Sequence, residues 1–220
     1  VVQDGLRRMV QEQEDVYYYL TVMNENYEHP AMPVGKEQDI IKGMYAFRQG
    51  GADDKAPRVQ LLGSGTIFNE VIAAATLLKD DWGVEADLWG CPSFTELARD
   101  GQAVARRNML HPEQPAEESH VGKLLKGAKG PVIAATDYVR GFAEQIRAFV
   151  PNRYVVLGTD GFGRSDTREN LRHFFEVDRR WIAVAALNAL ADDGALPKSR
   201  VAEAIAKYEL DPSKPNPMTV

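Results

Sequence analysis

Short apolar runs alternate along this chain with segments whose apolar residues recur every three or four positions, and that alternation limits the fold more than any other feature. Val59-Gln60-Leu61-Leu62, Val84 to Trp89, Val132 to Ala135 and Tyr154-Val155-Val156-Leu157 have the length and composition of buried strands. Val16-Tyr17-Tyr18-Tyr19-Leu20-Thr21-Val22, rich in aromatic and β-branched residues, reads as a further strand that precedes them. Ile67, Phe68, Val71, Ile72, Ala75 and Leu78 form one helical face after the Val59 run, and Phe142, Ile146 and Val150 form another. Helices are also expected at Glu37 to Phe47, Thr167 to Phe175, Trp181 to Ala191 (ended by Gly194) and Lys198 to Tyr208. The expected fold class is α/β, a three-layer domain of about five mostly parallel strands with helices on both faces. No fixed-period repeat or linker splits the chain, and its proline-containing tail, Asp211 to Val220, is expected to lie along the surface.

Composition excludes several classes of function. A chain of 220 residues, 44% hydrophobic and 26% charged, can bury one sizeable core. Its net charge of −6 argues against a nucleic-acid partner. The single cysteine, Cys91, rules out an internal disulfide framework and suits a reducing compartment; a buried structural thiol is expected there. No apolar run approaches the ~20 residues that span a bilayer. Neither a membrane span nor a secretory leader is expected, and the location expected is cytoplasmic. The opening VVQDGLRRMV lacks an initiator Met, and its apolar residues sit at helical spacing. It reads as a helix cut from a longer chain, with simple Met removal the alternative.

The loops after the strands carry the polar chemistry. Asn24, Glu25, Asn26 and Tyr27 follow the first run; Ser93, Thr95, Glu96, Arg99 and Asp100 follow the third; Thr136, Asp137 and Tyr138 follow the fourth. Asp160, Arg164 and Asp166 follow the fifth, within GTDGFGRSDTRENLRHFFEVD from Gly158 to Asp178, where Arg168 and His173 also lie. In a parallel sheet these loops converge on one edge, where open α/β folds place their ligands. Asn24, Glu25, Asn26, Tyr27, Arg99, Asp137, Asp160, Arg164, Asp166 and His173 are therefore the candidates for an interface or the rim of an active site. The structural alternative is caps and turns, with Asp137 and Asp166 as helix N-caps and Asp166 with Glu169 as a capping box.

Stronger motifs are missing. Gly63-Ser64-Gly65 follows a strand, but Phe68 replaces the third glycine of the dinucleotide fingerprint, so a tight turn is expected. His29, His111, His120 and His173 show no i, i+4 pair, so no metal site is assigned. Asp160-Gly161 with Asn188 has part of the metal–diphosphate motif of thiamine-diphosphate enzymes. Asn188, however, falls inside a helix-like run, so no second ligand stands beside Asp160.

Several segments together resemble one family. They are Asn24 to Tyr27 with Pro30-Ala31-Met32-Pro33, Leu61 to Gly65, Ser93 to Gly101, Asn108-Met109-Leu110-His111-Pro112, Ala135-Thr136-Asp137-Tyr138 and Gly158 to Asp178. In order, over nearly the whole chain, they look like the C-terminal domain of homodimeric pyruvate dehydrogenases, the decarboxylating first component of the complex. The resemblance implies a transketolase C-terminal-like domain over residues 16–220, a mostly parallel sheet with one antiparallel strand. Residues 1–15 would end the preceding pyrimidine-binding domain or connect to it. It further implies that the full-length homodimer uses thiamine diphosphate and magnesium to decarboxylate pyruvate. That enzyme would then reductively acetylate the lipoyl group of its dihydrolipoyl acetyltransferase partner. The family's cofactor and catalytic residues lie in the N-terminal and middle domains, so none is carried over here and no cofactor is expected on this chain alone. The expected role is dimer assembly and the approach to the active site. The alternatives are an independent α/β module that binds an anionic regulator, or a domain of another transketolase-like enzyme.

Overall fold

The computed structural model describes residues 1–23, 26–53 and 55–220. One five-stranded sheet organises them, in the order β1-β3-β2-β4-β5. The strands are β1 (Tyr45–Arg48), β2 (Arg58–Gly63), β3 (Glu85–Gly90), β4 (Val132–Ala135) and β5 (Tyr154–Leu157). All neighbours run parallel except β1, which pairs antiparallel with β3 at the edge and carries a register shift between Ala46 and Arg48. The central strand β2 pairs Gly63 with Gly90 on one side and with Ala135 on the other.

The two faces of the sheet bury separate cores. Val59 and Leu61 of β2, Leu88 of β3 and Ile133 of β4 pack under α3 (Ile67–Trp82), α8 (Arg179–Asp192) and α9 (Lys198–Lys207). Leu62, Val132, Ala134 and Val156 face the opposite way, towards α4 (Phe94–Leu110), α5 (His120–Leu125) and α6 (Arg140–Glu144). This is the expected three-layer α/β arrangement. Helix α3 follows its apolar spacing and ends at Gly83 in the left-handed conformation, where the Gly83 and Val84 amides close on Lys79 and Leu78 at 3.1 and 3.0 Å. Helix α8 is apolar nearly all round, as suits a helix wedged between the sheet, α3 and α9. Among the described residues no helix is long and apolar enough to cross a membrane.

Several expectations need correction. Val16 to Val22 is extended but pairs with no strand among the described residues; Tyr18 instead donates to Asp4 at 2.5 Å, leaving Tyr17 and Tyr19 exposed. A β-rich sequence becomes a strand only beside a partner backbone, and none lies there among the described residues. The fifth strand is β1, within the segment expected to be helical up to Phe47; only α2 (Glu37–Ile41) forms there. The Phe142 helix splits into α6 and a 3-10 turn at Arg147–Phe149, with Phe142 exposed. Ser93 to Asp100 is no loop: Ser93 caps α4 by accepting from the Glu96 amide at 3.1 Å. The opening helix does form, as α1 (Val2–Leu6) continuing into a π-helical turn at Arg7–Gln11, with Val2, Leu6 and Val10 exposed.

Candidate functional site

The loops after β2, β4 and β5 meet with a short helix, α7 (Arg168–Phe174), around a cleft of about 330 Å³. Its walls are Thr66 and Ile67 from the β2 side, Asp137 from β4, Thr159, Gly161, Gly163 and Arg164 from β5, and Arg168, Leu171 and Arg172 from α7. Backbone and hydroxyl bonds fix the strand ends beneath it. Ser64 Oγ donates to Thr136 Oγ1 at 2.8 Å, and the Thr136 and Cys91 amides bond to Leu157 and Gly63. Thr159 Oγ1 donates to the Asp137 carbonyl. Gly63 permits this closeness, because a Cβ there would stand 2.9 Å from Phe68 and Val71 as α3 turns back over β2.

One wall is cationic. Arg168 and Arg172 lie one helical turn apart, and Arg164 extends the row from the loop, its guanidinium 5.1 Å from the Phe174 ring centre. Arg172 sits 5.7 Å over the Tyr27 ring and reaches Glu70 on α3 at 3.4 Å. Glu70, buried on α3, accepts from Arg179 Nε at 2.9 Å and from the Arg179 amide at 3.1 Å. Burial alone would raise the Glu70 carboxyl, but the Arg179 bonds and the nearby Arg172 charge outweigh it and hold the carboxyl below its ordinary value.

The facing acid behaves differently. Asp137 is half-buried, and burial raises its pKa; its own amide and the charges of Arg172 and Arg168 offset this only in part. Among the described residues no arginine comes within ion-pair distance of it. A carboxyl that desolvation pushes towards neutrality thus shares the cleft with a row of guanidiniums.

The remaining candidates scatter. Asn24 and Glu25 lie outside the described residues, and Asn26 is exposed. Tyr27 meets the cleft through Arg172, whose Nη2 donates to its hydroxyl at 3.3 Å. Arg99 is on α4, paired with Glu96 at 2.6 Å. Asp160 turns from the cleft to accept from the Arg140 amide at 3.1 Å and to pair with the Arg140 guanidinium, 3.1 Å from its Nε. Asp160, rather than Asp137, thus serves the start of α6, whose N-cap Val139 makes no side-chain bond. Asp166 holds the Thr167 amide, and Thr167 is the N-cap of α7, one residue later than expected. His173 bonds Asp178 at 3.0 Å, and Asp178 caps α8. Arg172, Thr66 and Glu70 went unread. The four-residue spacing of Arg164, Arg168 and Arg172 was the available signal, whereas the Glu70 contact joins residues far apart in sequence.

Among the described residues no three His, Cys, Asp or Glu side chains gather where they could hold a metal ion. Asn188 lies on α8 and bonds Asp192 at 3.2 Å, so the partial diphosphate motif has no second ligand.

Residues 1–30 match the family described as pyruvate dehydrogenase E1 component middle domain. Over all of its length the chain is 76% identical to a pyruvate dehydrogenase E1 component of Cupriavidus necator, of which it covers 25%. It is 58% identical to that of Pseudomonas aeruginosa and 51% identical to that of Escherichia coli, over 99% of its own length and 25% and 24% of theirs. The chain thus spans about a quarter of the length of these relatives. Residues 43–178, which contain every strand of the sheet and the whole cleft, match the transketolase-like TK C-terminal domain, and the chain belongs to that family.

Proposed function

We propose that this chain is the C-terminal part of a pyruvate dehydrogenase E1 component, a homodimer that decarboxylates pyruvate in the cytoplasm. The observation that carries the reading is the 76% identity to such an E1 component over all 220 residues. Complete, the enzyme would pass the acetyl group reductively to the lipoyl group of a dihydrolipoyl acetyltransferase. Thiamine diphosphate and magnesium would supply the decarboxylation chemistry. The residues present do not fit that cofactor: the described acids and imidazoles form no metal cluster, and Asp160 is spent on Arg140. We therefore assign the cofactor to the rest of the polypeptide and derive no chemical step here.

The part we assign to this chain is structural and lies at the margin of the active site. It would support the dimer and form one side of the approach. The middle-domain match at residues 1–30, with the exposed Tyr17, Tyr19 and Val22, supports residues 1–15 as the end of, or the connection to, a preceding domain. A native polypeptide about four times this length, carrying the Gly158 to Asp178 peptide and active on pyruvate with thiamine diphosphate and magnesium, is the expected result. A native product of this size, inert to pyruvate, would overturn the reading. Arg164→Ala in the long polypeptide should weaken dimerisation or turnover, and wild-type behaviour in both would remove the rim from the mechanism.

A further inference from the structure

We propose that the cleft between the ends of β2 and β4 is a binding site for a small hydroxylated phosphate monoester. Its phosphate would lie on the Arg164, Arg168 and Arg172 row, and a hydroxyl would donate to Asp137. The first argument is topological. From the end of β2 the chain moves to β3 on one side, and from the end of β4 it moves to β5 on the other. The two connections leave the sheet in opposite directions, which opens a crevice above the carboxyl ends of β2 and β4. Open α/β sheets bind ligands at that switch point, and the cleft lies there, with Thr66 from the β2 end and Asp137 from the β4 end among its walls.

The second argument is chemical. Guanidinium groups in a row match the oxygens of a phosphate, and donors on both sides of such an anion are stronger than neutral ones. Glu70 offsets part of the Arg172 charge, but its shortest bond goes to Arg179 at 2.9 Å, against 3.4 Å to Arg172. Among the described residues Arg164 has no carboxylate within ion-pair distance; its recorded neighbour is the Phe174 ring. Asp137 stands among these cations without pairing to them, which suits an acceptor for a sugar or polyol hydroxyl. At about 330 Å³ the cleft is larger than an inorganic ion needs and falls at the lower end of small-molecule sites. Its floor includes Ile67, Leu171 and Val177, apolar surface for a carbon skeleton. The site stands on this chain's geometry, whichever enzyme carries it.

The test is calorimetric titration of the full-length polypeptide, at low salt, with inorganic phosphate, glycerol phosphate and uridine monophosphate. At least one organic phosphate should bind about tenfold more tightly than inorganic phosphate. Arg164→Gln should weaken every probe about tenfold, with Arg164→Lys recovering part of the loss. Asp137→Asn should erase the preference for the organic phosphate while inorganic phosphate binds at least as well. Preference for glycerol phosphate would assign the site to polyol phosphates, and preference for uridine monophosphate to nucleotides; either supports it. Absence of heat with all three probes would overturn the proposal. So would unchanged binding in Arg164→Gln, or an equal loss of inorganic phosphate in Asp137→Asn, the mark of a merely structural aspartate.

Discussion

Replacing Glu70 with glutamine should destabilise this fold by about 2–3 kcal/mol at neutral pH, and the figure follows from its surroundings. The Glu70 side chain is 7% exposed and accepts from the Arg179 amide, Nε and Nη2 at 2.9 to 3.1 Å, with Arg172 at 3.4 Å. Removing one partner of a fully buried ion pair costs about 3–5 kcal/mol, because the other charge stays buried. Here Arg179 is 50% exposed and recovers water, so its share falls to about 1 kcal/mol. Arg172, 18% exposed, recovers less and contributes about 1–2 kcal/mol. Glutamine keeps the shape but offers an N–H₂ where a second guanidinium requires an acceptor. For a chain of this size, the loss corresponds to roughly 4–12 °C in Tm. Its pH dependence separates charge from packing. The Glu70 pKa is lowered in the fold from a reference of 4.5, so its stabilisation is complete above that value and fades as pH falls through the lower folded value. Urea unfolding of both proteins from pH 7 downwards should show the deficit shrinking only below about pH 4.5. A deficit under about 0.5 kcal/mol at pH 7, or one that persists undiminished in acid, would refute the reasoning.

Other expectations follow from single contacts. Tyr208→Phe should cost about 1–2 kcal/mol by thermal denaturation, since the Tyr208 hydroxyl accepts from Trp82 Nε1 at 2.7 Å and donates to Asp81 at 2.9 Å. Burial pushes the Tyr208 hydroxyl up to about 12, so wild-type protein should keep this contribution below pH 10 and lose it as pH rises through 12. Gly161→Ala should loosen the C-terminal tail, measured as faster proteolysis within residues 211–220. Gly161 has φ 97°, and an added Cβ would stand 2.3 Å from the Pro217 carbonyl oxygen. Cys91 is 1% exposed and its thiol is pushed up by burial, so a disulfide reagent should label it only as fast as the fold opens.

How much of this was legible depended on how local each cause was. β2 and β4 read directly from their apolar runs, because a strand buried on both faces needs no alternation to be visible, and β3 and β5 read from short segments that alternate buried with half-buried residues. Gly194 was readable as the end of α8 because its left-handed backbone is a local requirement. Helix α4 was hidden, since Phe94, Leu97, Ala98 and Gly101 bury only its first half and the remainder is polar. β1 was hidden by its brevity, and Tyr45 and Phe47 extend the helical spacing of Ile40, Ile41 and Met44. Asp137 and Arg164 meet at one cleft because their loops leave adjacent strands. That Asp160 stands apart from it was not readable, because Arg140, the group that holds it, comes from a different loop. Glu70 could not be read at all, since its identity as a buried acid depends on Arg179, 109 positions later.

The crossover from β3 back to β4 also has a consequence in time. The pair β2 and β3, joined through α3, closes with nearby sequence, whereas the cleft needs β4, β5 and α7 in place, and its Glu70 brace needs Arg179. Contacts of such long sequence separation form late, because loop closure is unfavourable until the pairing that compensates it is made. The cationic wall is therefore assembled at the end of folding. During synthesis, a ribosome must release residue 179 before Glu70 can meet its partner. Whatever binds the cleft therefore recognises only the finished domain, and adds to its stability by mass action. Pulsed hydrogen exchange should accordingly protect the β2–β3 amides before those of α7.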